Sequence, residues 1–365
     1  DESRLPGSLF MVGHDHHQMV AELSIPRPVI SHQRRIEDLP VATMRQSFAD
    51  IFGGRVRDHE IPRLGLEYLT EDDPADGGRM HFCVGQHFEF DRRPTHGFKG
   101  LNLSVDDTAG LWSLGDLSAY VLNDYLFEIP SAWSDQHLPG YRLITGRFRD
   151  GQWGGRGPAM VAYVPPRSGR SLPSGAVIDH VRPLVLYGES RPGQAELAVQ
   201  GERQMERFSE ADEWSGGSWL TSGTRSAVML LGTKATGKTW YGFSNGVVYP
   251  ISGDPVDTIP EVPNFPHDQR GWWSESIRAE AILFAPDDLA DVASRRSAPW
   301  DPQPYARIDL SPYLFERQFE HPRQKRYLLG ACAYDRDRRW LYVVERRVKA
   351  DQERSLIHVF RIGHR

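Results

Sequence analysis

The sequence predicts an all-β fold, a β-propeller of about five irregular blades, and three observations predict it. The first is composition: 34 Gly, 26 Pro, 10 Trp, 13 Tyr and 16 Phe in 365 residues suit many short strands better than long helices. The second is Tyr334-Asp335-Arg336-Asp337-Arg338-Arg339-Trp340-Leu341-Tyr342-Val343. There an apolar strand reverses through an Asp-rich turn and returns with alternating aromatic and β-branched residues, the kind of hairpin from which blades are built. The third is recurrence: such units return at roughly 60 to 75 residues, longer than the roughly 40 to 50 of regular repeat propellers. A two-sheet sandwich or a pair of β domains has similar strands and stands as the alternative.

Taken in order, Leu9 to Val12, the polar turn Gly13-His14-Asp15-His16-His17-Gln18 and Met19 to Ile25 form a hairpin closed by Pro26. Residues 27–62, broken by Pro28, Pro40, Gly53 and Gly54, read as a long excursion with a short helix near Thr43 to Phe52. Arg63 to Leu69 and Arg79 to Phe90 form a second hairpin, with Gly77 and Gly78 at the reversal. The turn Thr95-His96-Gly97 leads into a short strand, Leu101 to Ser104. Further strands follow at Leu126, Tyr141, Ala159, Leu184, Trp219, Ser226 and Trp240, then at Ala281, Ala306, Leu328, Trp340 and Ile357. The whole chain, residues 1–365, is thus expected to be one propeller domain. Closing a ring requires the first strands to lie beside the last, so Ile357 to Ile362 is expected to share a blade with N-terminal residues. Cys83 and Cys332 would then lie on neighbouring blades, as a disulfide or as two buried thiols.

Composition also excludes. The net charge of −6 comes from 43 basic and 49 acidic residues mixed along the chain, so no basic face points to nucleic acid. No apolar run approaches the roughly 18 to 20 residues that span a bilayer, so membrane insertion is not expected. The first residue is Asp1 rather than a methionine, which signal-peptide cleavage or trimming of the chain would leave; an exported protein, periplasmic or extracellular, is the expectation, with a trimmed cytoplasmic protein as the alternative.

Four stretches could carry chemistry. Gly232-Thr233-Lys234-Ala235-Thr236-Gly237-Lys238-Thr239 matches the phosphate-loop pattern G-x-x-x-x-G-K-[ST]. Such a loop must open a helix whose N-terminal amides hold phosphate, whereas the strand-like Trp240-Tyr241-Gly242-Phe243 follows here. No nucleotide is expected, and a Lys/Gly hairpin turn is the plain reading. In the His14-Asp15-His16-His17 cluster, an extended backbone puts His14 and His16 on one face, so a metal would need a third ligand, for which His96 is the candidate. Zinc, manganese or calcium are the ions considered, and a solvated polar turn is the alternative.

The third stretch, Ser209 to Trp219, places Glu213 and Trp214 just before a strand, giving a carboxylate and a ring to a pocket floor. Glycosidases need two carboxyl groups in different environments, and Glu213 with Asp15 would be such a pair. An acidic loop with a core Trp is the competing reading. In the fourth, Asn264 to Glu275, adjacent Trp272 and Trp273 point to opposite faces of an extended chain, so one is buried and the other exposed. An exposed ring beside Arg270, His267 and Glu275 suits a carbohydrate or an anionic ligand. Paired C-x-x-C and H-E-x-x-H motifs are absent, and no serine nucleophile elbow of the G-x-S-x-G type is expected.

Phe10-Met-Val-Gly-His-Asp, the Gly151-to-Gly157 turn, Asp212-Glu213-Trp214-Ser215-Gly216-Gly217 and Tyr334-Asp335 through Glu345 together resemble a group of uncharacterised exported bacterial β-propeller proteins. More loosely, the chain is similar to five-bladed glycosidases of the arabinanase and invertase type. Their first-blade W-x-N-D-P-N-G motif is replaced here by Gly13-His14-Asp15-His16-His17, and only Asp15 could be carried over, as nucleophile or base. Histidine-rich propeller lyases are a second comparison. That resemblance implies a metal or neutral histidine holding a uronate carboxylate while His or Tyr removes the α proton, with His14, His16 and His96 as candidates and Arg278 or Arg270 pairing with the carboxylate.

The expectation is therefore a carbohydrate-active propeller, hydrolysing a glycan or cleaving it by β-elimination at a pocket on the channel axis. Asp15, Glu213 and His96 are its acid-base groups; Trp214, Arg270, Trp273 and Arg278 contact substrate; His14, His16 and His96 hold a metal. The alternative is a non-catalytic ligand-binding or structural surface protein.

Overall fold

A computed structural model describes residues 4–13, 18–56, 64–70, 78–85, 89–147, 155–167, 172–193, 203–251, 254, 258–315, 328–349 and 354–363. The fold is all-β and of the five-blade propeller class, with five small sheets as the strand pattern predicts. The chain divides into two compact units. One holds residues 1–146, 160–183 and 190–195; the other holds 147–159, 184–189 and 196–365.

In the first unit, β1 (Arg4–Val12), β2 (Val20–Pro26) and β3 (Met44–Ala49) form one antiparallel sheet in that order. A second runs in the order β11-β7-β6-β5-β4, from β4 (Leu64–Leu69), β5 (Arg79–Val84), β6 (His96–Lys99), β7 (Ala109–Leu114) and β11 (Val177–Ile178). The third, ordered β12-β10-β9-β8, uses β8 (Tyr125–Glu128), β9 (Leu143–Gly146), β10 (Met160–Tyr163) and β12 (Val181–Val185), of which Leu184 and Val185 count with the second unit. Val20, Ile51, Phe52, Leu64, Met80, Phe82 and Leu111 pack the first two sheets together, so neighbouring sheets share one apolar layer.

The second unit holds β13 (Glu213–Ser222), β14 (Arg225–Gly242), β15 (Gly271–Phe284) and β16 (Ala306–Asp309), followed by the meander β17 (Leu329–Asp335), β18 (Trp340–Lys349) and β19 (Arg354–Arg361). Leu220, Met229, Leu231, Ala281, Leu329, Leu341 and Val343 join these two sheets. An α-helix of eight residues, Pro286–Ala293, has Pro286 in its first turn and buries Leu289, Ala290 and Val292. Among the described residues no helix is long and apolar enough to cross a membrane.

Several local expectations are corrected. The segment Thr43 to Phe52 is not helical: β3 pairs with β2, held by Ser24 and Thr43 hydroxyls 2.9 Å apart and by Gln46 Nε2 donating to Glu22 at 2.7 Å. Sheet pairing outweighs a weak helical pattern here. The strand expected at Leu101 to Ser104 is a loop, because the buried Lys99 ammonium donates to the Asn102 and Val105 carbonyls at 2.9 Å and to Asp107 at 3.0 Å, which curls the chain around it. The strand lies earlier, as β6. The terminal strand β19 pairs with β18, and β1 with β2; among the described residues no ladder joins the two ends. Each end supplies its own three strands, β3 completing the first sheet and β17 the last. Neither Cys83 nor Cys332 forms a disulfide.

Candidate ligand-binding site

His14, Asp15, His16 and His17 lie outside the described residues. His96 is described, and it is not in a turn. It lies in β6 opposite Cys83 of β5 and Trp112 of β7, with 1% of its surface exposed. Nδ1 is 3.0 Å from the Thr95 hydroxyl and Nε2 3.2 Å from that of Thr145, so both ring nitrogens are engaged. Burial pushes the ring down to about 3, with His81 nearby as the second cause, and His96 is therefore neutral at physiological pH. His81, two residues before Cys83 on β5, is likewise pushed down to about 3 by burial, with Arg79 adding to it, and its Nε2 has no hydrogen-bond partner among the described residues. The Cys83 thiol contacts the Tyr125 carbonyl at 3.7 Å and is pushed up to about 12 by burial, against a hydrogen bond with Thr145.

This is a sealed polar cluster in the core of the first unit. With both imidazole nitrogens taken by hydroxyls, His96 as placed does not fit the role of a metal ligand or of a base meeting substrate. Among the described residues no three His, Cys, Asp or Glu side chains are arranged to hold a metal.

Glu213 and Trp214 belong to the second unit. They open β13 rather than a loop, and they are 3% and 2% exposed. The Trp214 indole faces the interior, and its Nε1 has no hydrogen-bond partner among the described residues. The neighbouring Asp212 receives hydrogen bonds from Lys234 Nζ at 2.7 and 3.0 Å and from the amides of Ala235 and Ser209. Burial still raises its carboxyl to about 6, with Lys234 opposing. Arg278, expected to meet a substrate carboxylate, is instead paired with the buried Glu280, which Arg307 Nη1 also contacts at 3.0 Å.

The phosphate-loop match runs inside β14. Lys234 and Thr233 sit in the ladder with β15, and Gly232 lets β13 approach, since a Cβ there would lie 1.8 Å from the Glu213 carbonyl oxygen. Gly237, at φ +77°, makes a bulge whose Lys238 amide donates to Glu275 at 2.9 Å. No turn interrupts the strand, so the hairpin-turn reading is corrected too: the reversal comes after Gly242.

Past that bulge, β14 and β15 carry aromatic cross-strand pairs, Trp240 opposite Trp273 and Tyr241 opposite Trp272. Alternation puts the pairs on opposite faces. Trp273 is the buried member, at 6% exposed, which places the expected substrate ring inside the protein; Trp272 is half-buried. Trp272 and Tyr241 rings meet edge to face, 5.5 Å between centroids. Tyr249 packs edge-on against Tyr241 and Phe243, each at 6.3 Å, and the exposed Arg270 guanidinium lies 4.3 Å over its ring. The chain turns back after β14, with Gly246 N donating to Phe243 O and Tyr249 N to Tyr241 O, which returns Tyr249 beside the strand.

The result is a platform of half-buried rings edged by one exposed cation, chemistry suited to stacking on a sugar face and pairing with a hydroxyl or carboxylate. Of the residues expected to bind, the platform contains only Arg270, joined by Trp272, Tyr241 and Tyr249. Which tryptophan faces out depends on register, which spacing alone does not supply. The sequence does carry one signal the expectation denied: Gly242-Phe243-Ser244-Asn245-Gly246 has G-x-S-x-G spacing, and Ser244 Oγ lies 2.8 Å from His267 Nδ1. Compared with protein-family models, curated proteins and solved structures, the chain matches none.

Proposed function

We propose that this β-propeller recognises a glycan, with the Trp272, Tyr241, Tyr249 and Arg270 platform as its contact surface. The observation that carries the reading is the cluster of half-buried rings, packed edge to face and ending in an exposed guanidinium. A pyranose presents an apolar C–H face to such rings, and the analogous stacking of a nucleic-acid base on an aromatic is worth roughly 1–3 kcal/mol per base. Arg270 makes no ion pair among the described residues, so its N–H edge is open to a uronate carboxylate or to ring hydroxyls. This favours binding over the acid-base chemistry assigned to Asp15, Glu213 and His96, because the two described members are sealed. A glycan as ligand is what the resemblance to five-bladed glycosidases implies, and an exported protein meeting extracellular glycans is the setting of this reading.

An array of neutral and uronate-containing oligosaccharides probed with the full chain tests it. The reading expects selective retention, strongest on acidic glycans and weakened by Arg270→Ala. Uniform failure to bind any glycan overturns it.

A further inference from the structure

We infer that Ser244 and His267 form a hydrolytic dyad at the edge of the aromatic platform, acting on carboxylic esters, and that its natural substrate is an O-acyl group carried by the bound glycan. The last clause rests on the glycan reading; the dyad does not. Three observations carry it. Ser244 follows β14 in a tight turn, Phe243 to Gly246, which leaves its side chain half-buried at the molecular surface. Its Oγ lies 2.8 Å from Nδ1 of His267, which comes from a separate turn closed by His267 N donating to Asn264 O. The amide of Asn245, the residue after the serine, donates to nothing among the described residues, whereas Gly246 N and Val247 N are both taken, by the Phe243 carbonyl and by Asn245 Oδ1.

The pieces match what acyl transfer from an ester requires. A nucleophile must sit within hydrogen-bond reach of a base, and an unspent N–H must lie next to it to receive the developing oxyanion. In the G-x-S-x-G setting the amide after the serine has that second role. Here the serine stands on a strand-to-turn reversal rather than a strand-to-helix elbow, and among the described residues no hydrogen bond from a carboxylate to His267 is shown. The arrangement is thus a dyad, with Nδ1 as acceptor and the proton on Nε2.

The step balances with water as the only co-reactant. Ser244 Oγ forms a bond to the ester carbonyl carbon while its proton passes to His267 Nδ1. The carbon–alkoxide bond then breaks and the alkoxide leaves with that proton. Water, deprotonated by the same nitrogen, attacks the acyl-serine, releasing the carboxylic acid and restoring Ser244. The adjoining platform explains why a sugar would present its ester there: the Phe243 ring packs on Tyr249, which carries Arg270, and His267 is three residues from Arg270 in sequence.

The test uses the full chain with an alkyl fluorophosphonate probe and with p-nitrophenyl acetate. The dyad predicts one phosphonylated residue, Ser244, found by peptide mass spectrometry, and acetate release falling to background in Ser244→Ala and at least ~100-fold in His267→Ala. Absence of adduct at Ser244 in the folded protein, or hydrolysis untouched by Ser244→Ala, overturns it and leaves the contact as a link between two turns. Measuring array binding on the same preparations separates the two readings. Binding without labelling sinks only the dyad, and labelling without binding sinks only the glycan as its substrate.

Discussion

The polar cluster of the first unit and the aromatic end of β14 and β15 in the second both hold residues that the sequence marks for binding, and they do opposite things. Around His96 the chain places imidazole, thiol and hydroxyl where no water reaches, and every shift there has burial as its leading cause. Around Trp272 it leaves rings half-covered and a guanidinium exposed. The lesson is that a histidine between two threonines inside a sheet holds strands together, whereas an aromatic pair carried beyond the packed part of a long hairpin is free to meet a ligand.

The contrast can be broken most forcefully at His96. Replacing it with alanine leaves a cavity and strips the Thr95 and Thr145 hydroxyls of a partner, so a loss of about 3–5 kcal/mol in urea unfolding is expected. Ligand binding per folded molecule is expected to be unchanged. A stable variant with lost binding would move function back into the sealed cluster.

A second test uses pH. His81 and His96 take up a proton near 6.5 in the unfolded chain but only near 3 when folded. Between those values the unfolded state binds more protons, so stability is full above 6.5 and falls with pH, by about 1.4 kcal/mol per pH unit for each histidine. Unfolding midpoints at pH 7 and pH 5 check this; a flat profile would mean that at least one ring is solvated. Asp212 works the other way. Its carboxyl is raised to about 6, so its contribution is present below the unfolded value near 4 and is lost as pH rises through 6. Between pH 4 and 6 it therefore offsets about one histidine's share of the descent, leaving a net fall of about 1.4 kcal/mol per pH unit there.

How much of this was legible in the sequence follows from what each inference needed. Period-2 alternation and turn chemistry sufficed for the hairpin from Leu329 to Lys349 and for the five-blade class, because both are local. Burial of His96 was hidden, since it depends on β5, β7 and Thr145 closing over β6, and a short His-Gly pair reads as a turn when those neighbours are unknown. Alternation did say that one of Trp272 and Trp273 is inside. Choosing between them required the pairing of Trp273 with Trp240. Glu213 looked exposed because it follows acidic loop residues, yet the ladder with β14 begins at that residue. The G-x-S-x-G spacing was readable throughout; what no spacing supplies is that His267, more than twenty residues later, meets Ser244.

The smallest expected effect concerns the thiols. Cys83, buried and pushed up to about 12, should resist an aromatic disulfide reagent in the folded protein, while the half-buried Cys332 reacts slowly. Both should titrate at once in denaturant, and fast native labelling of Cys83 would show that the cluster opens.

The most direct measurement is isothermal titration of the best-retained oligosaccharide into wild-type protein and Trp272→Ala. Because the ring is half-exposed, the substitution is expected to cost little stability but to weaken affinity at least ~10-fold, about 1.4 kcal/mol. Equal affinity in the folded variant would contradict the platform as the recognition surface.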